Sequence, residues 1–583
     1  MNPIRPIRLT FYCLFSLSLL FACNKKNDPG DNNEVSAPPT NLTVSVEVVG
    51  ATDAMPAGDG SGKINISMSA VNATSYHVIL PTEGNKILTL DNPKGGTLSY
   101  SFTGNPGTTT IYPLQVVAYN GSARTDTILY LPVYCALEKT DVTFWMTTPD
   151  KSSLFQRQNT ALLFKSTTNS YPVIDISPTQ TYQTIDGFGF ALTGGSATLI
   201  NGLDAKTKDD LLKELILTDS TGIGVSYLRV SIGASDLSAY TFTYNDTPGD
   251  SALQYFNMNM EKADLIPVLQ KITALNPDIK ILASPWSAPA WMKTNNNLYG
   301  GGNFPGRLKP ECYDVYARYF VKYIQTMEAA GISIEAITPQ NEPLNAWNNP
   351  AMLMEAGEQA DFIKNHLAPQ FKAAGIKTKI IIYDHNLDHP EYAASILSDP
   401  DAYPVVDGSA FHLYAGAIGT MSSVHNRFPD KNLYFTEQYT SSNGDFGGDV
   451  QWHIENLIIG ATRNWSKNVI EWNLASDPNM NPHTDGGCSD CLGAVTISGS
   501  SVVRRNQSYY AVAHAAKFVR PGSVRIASSA VDNLPNVAFQ TPDGKKVLIV
   551  LNKSNSNTTF NIRFNEQMVS PTLPAGAVGT FVR

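Results

Sequence analysis

The chain has 583 residues, room for about three to five ordinary domains or fewer if one is a large barrel, so a single small module is excluded. Hydrophobic residues make up 42% and charged residues 16%, which excludes a disordered chain and a charge-laced helical rod. Lys and Arg number 42 against 51 Asp and Glu; the resulting formal charge of −9 at pH 7 has the wrong sign for a phosphate-backbone binder, so nucleic acid is not expected as a partner.

Arg5 and Arg8 precede an apolar run over 9–21 that ends Leu20-Phe21-Ala22-Cys23. The run is shorter than the roughly 20 residues of a spanning helix, and a small residue stands before the cysteine, so the segment resembles a bacterial lipoprotein signal. In that reading residues 1–22 are removed and Cys23 receives acyl chains. The exported protein is then held on the outer membrane, at the cell surface or on its periplasmic face. A plain secretory signal or a short anchor helix is the alternative. Residues 23–40 include Asn24-Lys25-Lys26-Asn27-Asp28-Pro29-Gly30, polar and aperiodic, and read as a flexible tether.

Over 41–136 short alternating runs such as Thr43-Val44-Ser45-Val46-Glu47-Val48 and Lys63-Ile64-Asn65-Ile66-Ser67-Met68 are separated by Gly-, Asn- and Pro-rich turns. About seven strands fit, which predicts an N-terminal all-β sandwich of immunoglobulin type, and Gly58-Asp59-Gly60-Ser61-Gly62 resembles PKD-like modules of surface proteins. No carboxylate pair or metal spacing occurs in the stretch, so it reads as a spacer in preference to a glycan binder.

Eight β-branched runs follow, at 184–192, 225–230, 279–286, 334–342, 378–384, 408–414, 433–438 and 469–474. Between them lie amphipathic stretches such as 206–217, 313–330 and 359–373, with apolar residues at three- and four-residue steps. Eight alternating β and α elements specify a (β/α)8 barrel, assigned here to 183–494. Alternation at period two returns after residue 495, as in Val547-Leu548-Ile549-Val550-Leu551, and the strand-like 172–176 stands before the barrel. Residues 137–182 and 495–583 are therefore expected to form a companion β-sandwich from both flanks of the barrel.

Chemistry in such a barrel sits at the carboxyl ends of the strands. Strand four ends Gln340-Asn341-Glu342-Pro343 and strand seven ends Phe435-Thr436-Glu437-Gln438, so two glutamates on opposite sides of the ring can face each other across a sugar-sized gap. That is the pair a glycosidase requires. Arg229 at the end of strand two can keep a carboxylate ionised, and Asp236 just beyond it can accept from two sugar hydroxyls. Trp286 and Trp472 are candidate sugar platforms, and His412 and Tyr414 candidate hydrogen-bonding partners of the nucleophile.

These residues lie in an ordered set of motifs: Ile185-Asp186-Gly187-Phe188-Gly189, Arg229 to Asp236, Ala283-Ser284-Pro285-Trp286, Gln340-Asn341-Glu342-Pro343, Phe411-His412-Leu413-Tyr414, Thr436-Glu437 and Trp472-Asn473-Leu474. In order and spacing the set resembles glycoside hydrolase family 30, the clan of retaining enzymes that includes glucosylceramidases and β-1,6-glucanases. The resemblance implies Glu342 as acid/base and Glu437 as nucleophile. It implies Asn341 on the sugar 2-hydroxyl, Asp236, Trp286 and Trp472 around the glycone, and Arg229, His412 and Tyr414 around the nucleophile. A retaining pair stands about 5–5.5 Å apart.

Leu413 stands where the glucosylceramidases commonly carry tryptophan, and Ala191-Leu192-Thr193-Gly194-Gly195 lacks an acidic residue often found there. The loop Gly486-Gly487-Cys488-Ser489-Asp490-Cys491-Leu492-Gly493 resembles the bacterial β-1,6-glucanase-like members. Cys488 and Cys491 could form a local disulfide, half a zinc site or free thiols; no second Cys/His pair has zinc-finger spacing. The expected protein is a monomeric, lipid-anchored retaining endo-β-1,6-glucanase acting on β-glucan without metal or other cofactor. An exo-acting β-glucosidase or glucosylceramidase is the alternative, and a non-catalytic glycan-binding lipoprotein a third reading.

Overall fold

The computed structural model describes residues 9–10, 36–52, 55–102, 107–136, 140–166, 168–219 and 221–583. Cys23 and nearly all of the expected signal and tether lie outside the described residues. The chain divides into two compact units, residues 1–140 with 159–161, and residues 141–158 with 162–583.

The first unit is all-β. One sheet holds Thr40–Val48, Lys63–Val71 and Gly96–Ser101; the other runs Lys86–Leu90, Ser75–Leu80, Thr108–Asn120, Ala123–Cys135. Alternation buries Ile64, Ile66 and Met68 from one sheet against Val78, Leu80, Leu114 and Val116 from the other, leaving the residues between them facing outward.

In the second unit eight parallel strands close into a barrel: Gly187–Ala191, Tyr227–Ser231, Lys280–Ser284, Ala336–Ile337, Lys379–Asn386, Gly408–His412, Asn432–Glu437 and Ser466–Glu471. Period two decides what each strand buries. Tyr227, Leu282, Ala336, Ile381, Ala410, Tyr434 and Ile470, one from each of strands two to eight, fill the interior. Their neighbours, such as Leu228, Ile281, Ile337, Ile382, Phe411 and Val469, join the core beneath the helices. Strand one contributes glycine instead, because a Cβ at Gly189 would stand 1.9 Å from the Tyr227 carbonyl oxygen. In the helix Tyr313–Ala329, Tyr316, Tyr319, Phe320, Tyr323, Ile324 and Met327 recur at three- and four-residue steps and are almost fully buried.

The companion is a nine-stranded sheet ordered Gln156–Arg157, Thr143–Thr147, Val578–Val582, Lys546–Leu551, Asn536–Gln540, Val524–Ser528, Val173–Thr184, Asn561–Phe564, Gln567–Val569. The unbroken apolar run 547–551 is explained by burial on both faces. Leu548 and Val550 pack with Phe144, Ile174, Phe560 and Phe581, while Val547, Ile549 and Leu551 join the barrel core. At about 1.5–3 kcal/mol per fully buried aliphatic side chain, this run fixes the sheet to the barrel.

Two boundaries differ from the sequence reading. The strand Val173–Thr184 belongs to the companion sheet and barrel strand one begins only at Gly187, which takes a φ of +147° between them. Residue 495 does not open the companion: Val495–Ser498 pairs with Ala475–Ser476, just past strand eight, Val502–Arg505 pairs with Val495–Ser498, and the helix Gln507–Ala516 packs into the barrel core. Period-two alternation identifies strands without saying which sheet they join. His514 of that helix, buried between the hydroxyls of Thr580 (2.8 Å) and Thr147 (2.9 Å), ties it to the companion sheet, and burial pushes its pKa down to about 3.

Candidate active site

Two residues beyond the apolar interior layer, the same inward-facing positions turn polar: Arg229, Ser284, Thr338, His412 and Thr436 on strands two, three, four, six and seven. They converge on Asp384, a fully buried carboxylate from strand five. Its Oδ2 accepts from Arg229 Nη2 at 2.8 Å, Ser284 Oγ at 2.8 Å and Thr338 Oγ1 at 2.7 Å. Its Oδ1 accepts from Thr436 Oγ1 at 2.7 Å and lies 3.0 Å from His412 Nε2. Burial alone would raise the Asp384 pKa, but Arg229, His412 and Thr436 hold it well below the usual carboxylate range. A register shift between Tyr383 and His385, with φ of +72° at Tyr383 and +68° at Asp384, places this carboxylate; left-handed backbone costs non-glycine residues energy that the surrounding bonds must offset.

Asp384 was not singled out from the sequence. The rule that found Glu342 and Glu437, an acid ending a barrel strand, applies to it equally, but the bulge that directs it inward has no sequence signature.

The Arg229 guanidinium, also fully buried, joins this layer to the one above. Nη1 donates to Glu437 Oε2 at 2.5 Å and Nη2 to Asn341 Oδ1 at 2.7 Å, while its carbon lies 4.9 Å and 5.8 Å from the ring centroids of Trp286 and Trp472. Those two indoles stack at 5.2 Å. Glu437 Oε1 also accepts from the Tyr414 hydroxyl at 3.0 Å. Glu342, at a φ of +43°, accepts from Asn345 Nδ2 at 2.8 Å, and its other oxygen lies 3.3 Å from His412 Nδ1.

The structure thus brings Arg229, Asp236, Trp286, Asn341, Glu342, His412, Tyr414, Glu437 and Trp472 to one end of the barrel. A cavity of about 580 Å³ there is lined by Asp236, Trp286, Glu342, Tyr414, Glu437 and Trp472 among others. His412 Nδ1 lies 3.7 Å from the Glu437 carboxylate, with Glu342 and Asp384 as the ring's nearer partners. It is fully buried with both ring nitrogens engaged, because strand six directs it into the polar layer beneath the cavity. Asn345, His385 and Trp347, not singled out from the sequence, also line the cavity.

One carboxylate oxygen of Glu342, one of Glu437 and a ring nitrogen of His412 lie within 4.8 Å of one another. That spacing falls on the side of a retaining pair, well short of the roughly 6.5–9.5 Å that leaves room for water in an inverting pair. The three groups could by count ligate a cation, yet Arg229 already holds Glu437 and Asp384 holds the far nitrogen of His412, so a metal ion would meet a guanidinium.

The charges are interdependent. Burial opposes a charged His412, but Glu437, Asp384 and Glu342 outweigh it and raise the pKa to about 9. Burial likewise raises Glu342, yet the His412 hydrogen bond with the charges of His385 and His412 brings it down to about 2. Glu437 is raised by burial, with Glu342 and Asp384 adding to the effect against His412 and Arg229. Asp236 is pushed up to about 7 by burial, then by Glu437 and Glu342.

Beside Asp236 the two cysteines are joined as a Cys488–Cys491 disulfide, which decides among the three alternatives the sequence left open. Thr484 donates its N–H to the Asp236 carbonyl at 2.7 Å, and Ser441 and Thr440, just past Glu437, pair with Cys491 and Leu492. The crosslinked loop therefore braces both the Asp236 segment and the strand-seven end.

A closed barrel with paired carboxylates at retaining distance over a buried Arg–Asp layer defines a glycosidase of the retaining class. Residues 185–519 match the glycosyl hydrolase family 30 TIM-barrel domain and residues 522–581 the β sandwich domain of that family. The chain belongs to glycoside hydrolase family 30. It is 34% identical over 423 residues to an endo-1,6-β-D-glucanase of Trichoderma harzianum, covering 69% of this chain and 84% of that protein. It is 30% identical over 414 residues to the lysosomal acid glucosylceramidase of Mus musculus, covering 67% and 79%. Among solved structures it resembles the endo-β1,6-glucanase BT3312, with a TM-score of 0.70 and 34% identity over 76% of this chain and 99% of that one. SrfJ from Salmonella typhimurium gives a TM-score of 0.71 at 28% identity, with 76% and 99% covered.

Proposed function

We propose that this glycosidase is an endo-β-1,6-glucanase that acts by double displacement, with Glu437 as nucleophile and Glu342 as acid/base. The observation that carries the mechanism is the carboxylate pair with oxygens within 4.8 Å, one member held by Arg229 and Tyr414 and the other by Asn345. Support for the substrate comes from relatives named as endo-1,6-β-glucanases at 34% identity.

In the first step Glu437 attacks the anomeric carbon and Glu342 gives its proton to the departing oxygen; in the second Glu342 takes a proton from water, which hydrolyses the glycosyl-enzyme. A sugar laid over the pair favours the protonated form of Glu342. It strips water from Glu342, and its glycosidic oxygen, an acceptor, is satisfied only by the protonated acid. Glu437 meanwhile keeps Arg229 and Tyr414 as donors to its charged form. Asp236, Trp286 and Trp472 hold the glycone, and Asn341, its Oδ1 already taken by Arg229, presents its amide N–H groups to the sugar 2-hydroxyl. His412 acts from below by orienting the carboxylates.

The test is product analysis on a β-1,6-glucan beside laminarin, xylan and glucosylceramide, with anomeric configuration followed by NMR. Internal cleavage of the β-1,6-glucan with a β-configured first product is the expected result. Release of glucose alone, or preference for glucosylceramide, overturns the endo assignment, and an α-configured first product overturns the mechanism.

We further propose that the enzyme is exported and carried on the outer membrane by acyl chains on Cys23, with the immunoglobulin- or PKD-like N-terminal unit as spacer. Arg5, Arg8, the apolar run and the Ala22-Cys23 junction support this reading. Radiolabelled palmitate incorporation that is lost in Cys23→Ser is the expected result; equal labelling of both forms refutes it.

A further inference from the structure

Trp347 is the largest exposed apolar side chain bordering the catalytic cavity, with 72% of its surface open to solvent. An indole left in water beside a polar cavity forgoes its burial energy unless a ligand covers it. Its support is built in. Gly302, at a φ of +53°, lies so close beneath the ring that a Cβ there would meet its carbons at 2.9–3.2 Å. The Gly302 N–H donates to the Ala346 carbonyl at 2.9 Å, which ties the two loops together. The glycine thus props one part of the ring while most of it stays uncovered.

The backbone around it leads back to the chemistry. The Trp347 N–H donates to Asn345 Oδ1 at 3.0 Å, and Asn345 Nδ2 donates to Glu342 Oε2 at 2.8 Å. One amide side chain therefore spans the ring's backbone and the acid/base carboxylate. Glu342 must deliver its proton to the oxygen that departs, so the sugar on the departing side lies against the loop that carries Glu342. The buried indoles Trp286 and Trp472 come from other strands, three and eight, and stack with each other over Arg229. They are accounted for by the glycone, which leaves Trp347 without a partner.

We infer that Trp347 is the platform for the leaving glucosyl unit and that Asn345 couples its position to Glu342. This inference rests on the glucanase reading and adds to it the residue that selects a sugar, as opposed to a small leaving group, on the far side of the scissile bond. A β-linked glucosyl ring presents axial C–H groups that cover an indole face, whereas fluoride covers nothing.

The experiment compares Trp347→Ala, Trp347→Phe and wild-type enzyme on gentiotetraose and on β-glucosyl fluoride. The expected result is that kcat/KM for gentiotetraose falls in Trp347→Ala by about ten-fold more than for the fluoride, the scale of a well-placed aromatic contact. Trp347→Phe is expected to restore most of the difference. Equal losses on the two substrates, or none on either, with wild-type cleavage of gentiotetraose intact, overturn the platform alone. Failure of the wild type to cleave gentiotetraose while turning over the fluoride overturns the glucanase reading, and this inference with it.

Discussion

Replacing Asp236 by Asn separates what this residue does for stability from what it does for binding. Asp236 is 7% exposed, and burial with the neighbouring Glu437 and Glu342 raises its pKa to about 7. In the unfolded chain an aspartate titrates near ~3.9. Because the folded value is the higher one, the stability it contributes is complete below about pH 4 and is lost as the pH rises through about 7. At pH 8 the folded protein therefore holds a buried carboxylate close to two others. Asn has the same shape and no charge, so Asp236→Asn removes that cost. The gap between the two pKa values, at ~1.36 kcal/mol per pH unit, sets a ceiling of about 4 kcal/mol. Urea unfolding of both proteins at pH 4.5 and pH 8 measures it. The variant is expected to gain about 2–4 kcal/mol relative to wild type between the two pH values. It is also expected to lose most activity, since an amide cannot accept two sugar hydroxyls as a carboxylate does. A stability difference that is the same at both pH values refutes the reasoning.

Three other outcomes are expected. Arg229→Met strands Asp384 and Glu437 without their cation, so it should cost about 3–5 kcal/mol in chemical denaturation, and loss of the charge should move the acid limb of the pH–rate profile upward. In Glu437→Gly azide should restore turnover as an α-glycosyl azide, whereas in Glu342→Gly it should yield the β-anomer from an activated substrate; mass spectrometry with NMR of the products checks the roles. Reducing the Cys488–Cys491 bridge opens only a short loop, so about 2 kcal/mol or less of stability is at stake, but KM should rise as the loop loosens beside Asp236 and Ser441, read by kinetics with and without dithiothreitol.

The amino-acid pattern alone determined the barrel and the two glutamates. Eight β-branched runs separated by amphipathic helices have few ways to bury their apolar faces, and an acid at a strand's carboxyl end must open on the barrel mouth. Trp286, Trp472 and Asp236 were legible for the same reason, since each stands just past a strand. What decided the rest was contact between strands distant in sequence. Period two marks strands around 172–176 and after 495, both expected in the companion sheet, but only packing starts barrel strand one at Gly187 and sets 495–505 against Ala475–Ser476 just past strand eight. Asp384 became visible once a bulge in strand five directed it at Arg229, 155 residues away, and only the folded chain sets His412 between that carboxylate and Glu342. Trp347 carries no signal in its own neighbourhood beyond following Glu342; its solvent-facing ring on a glycine from another loop exists only in the folded chain. Local sequence sets periodicity and strand ends because these depend on adjacent residues, whereas the charges on Glu342 and Glu437 depend on ions gathered from strands two, five and six, which folding alone brings within a few ångströms.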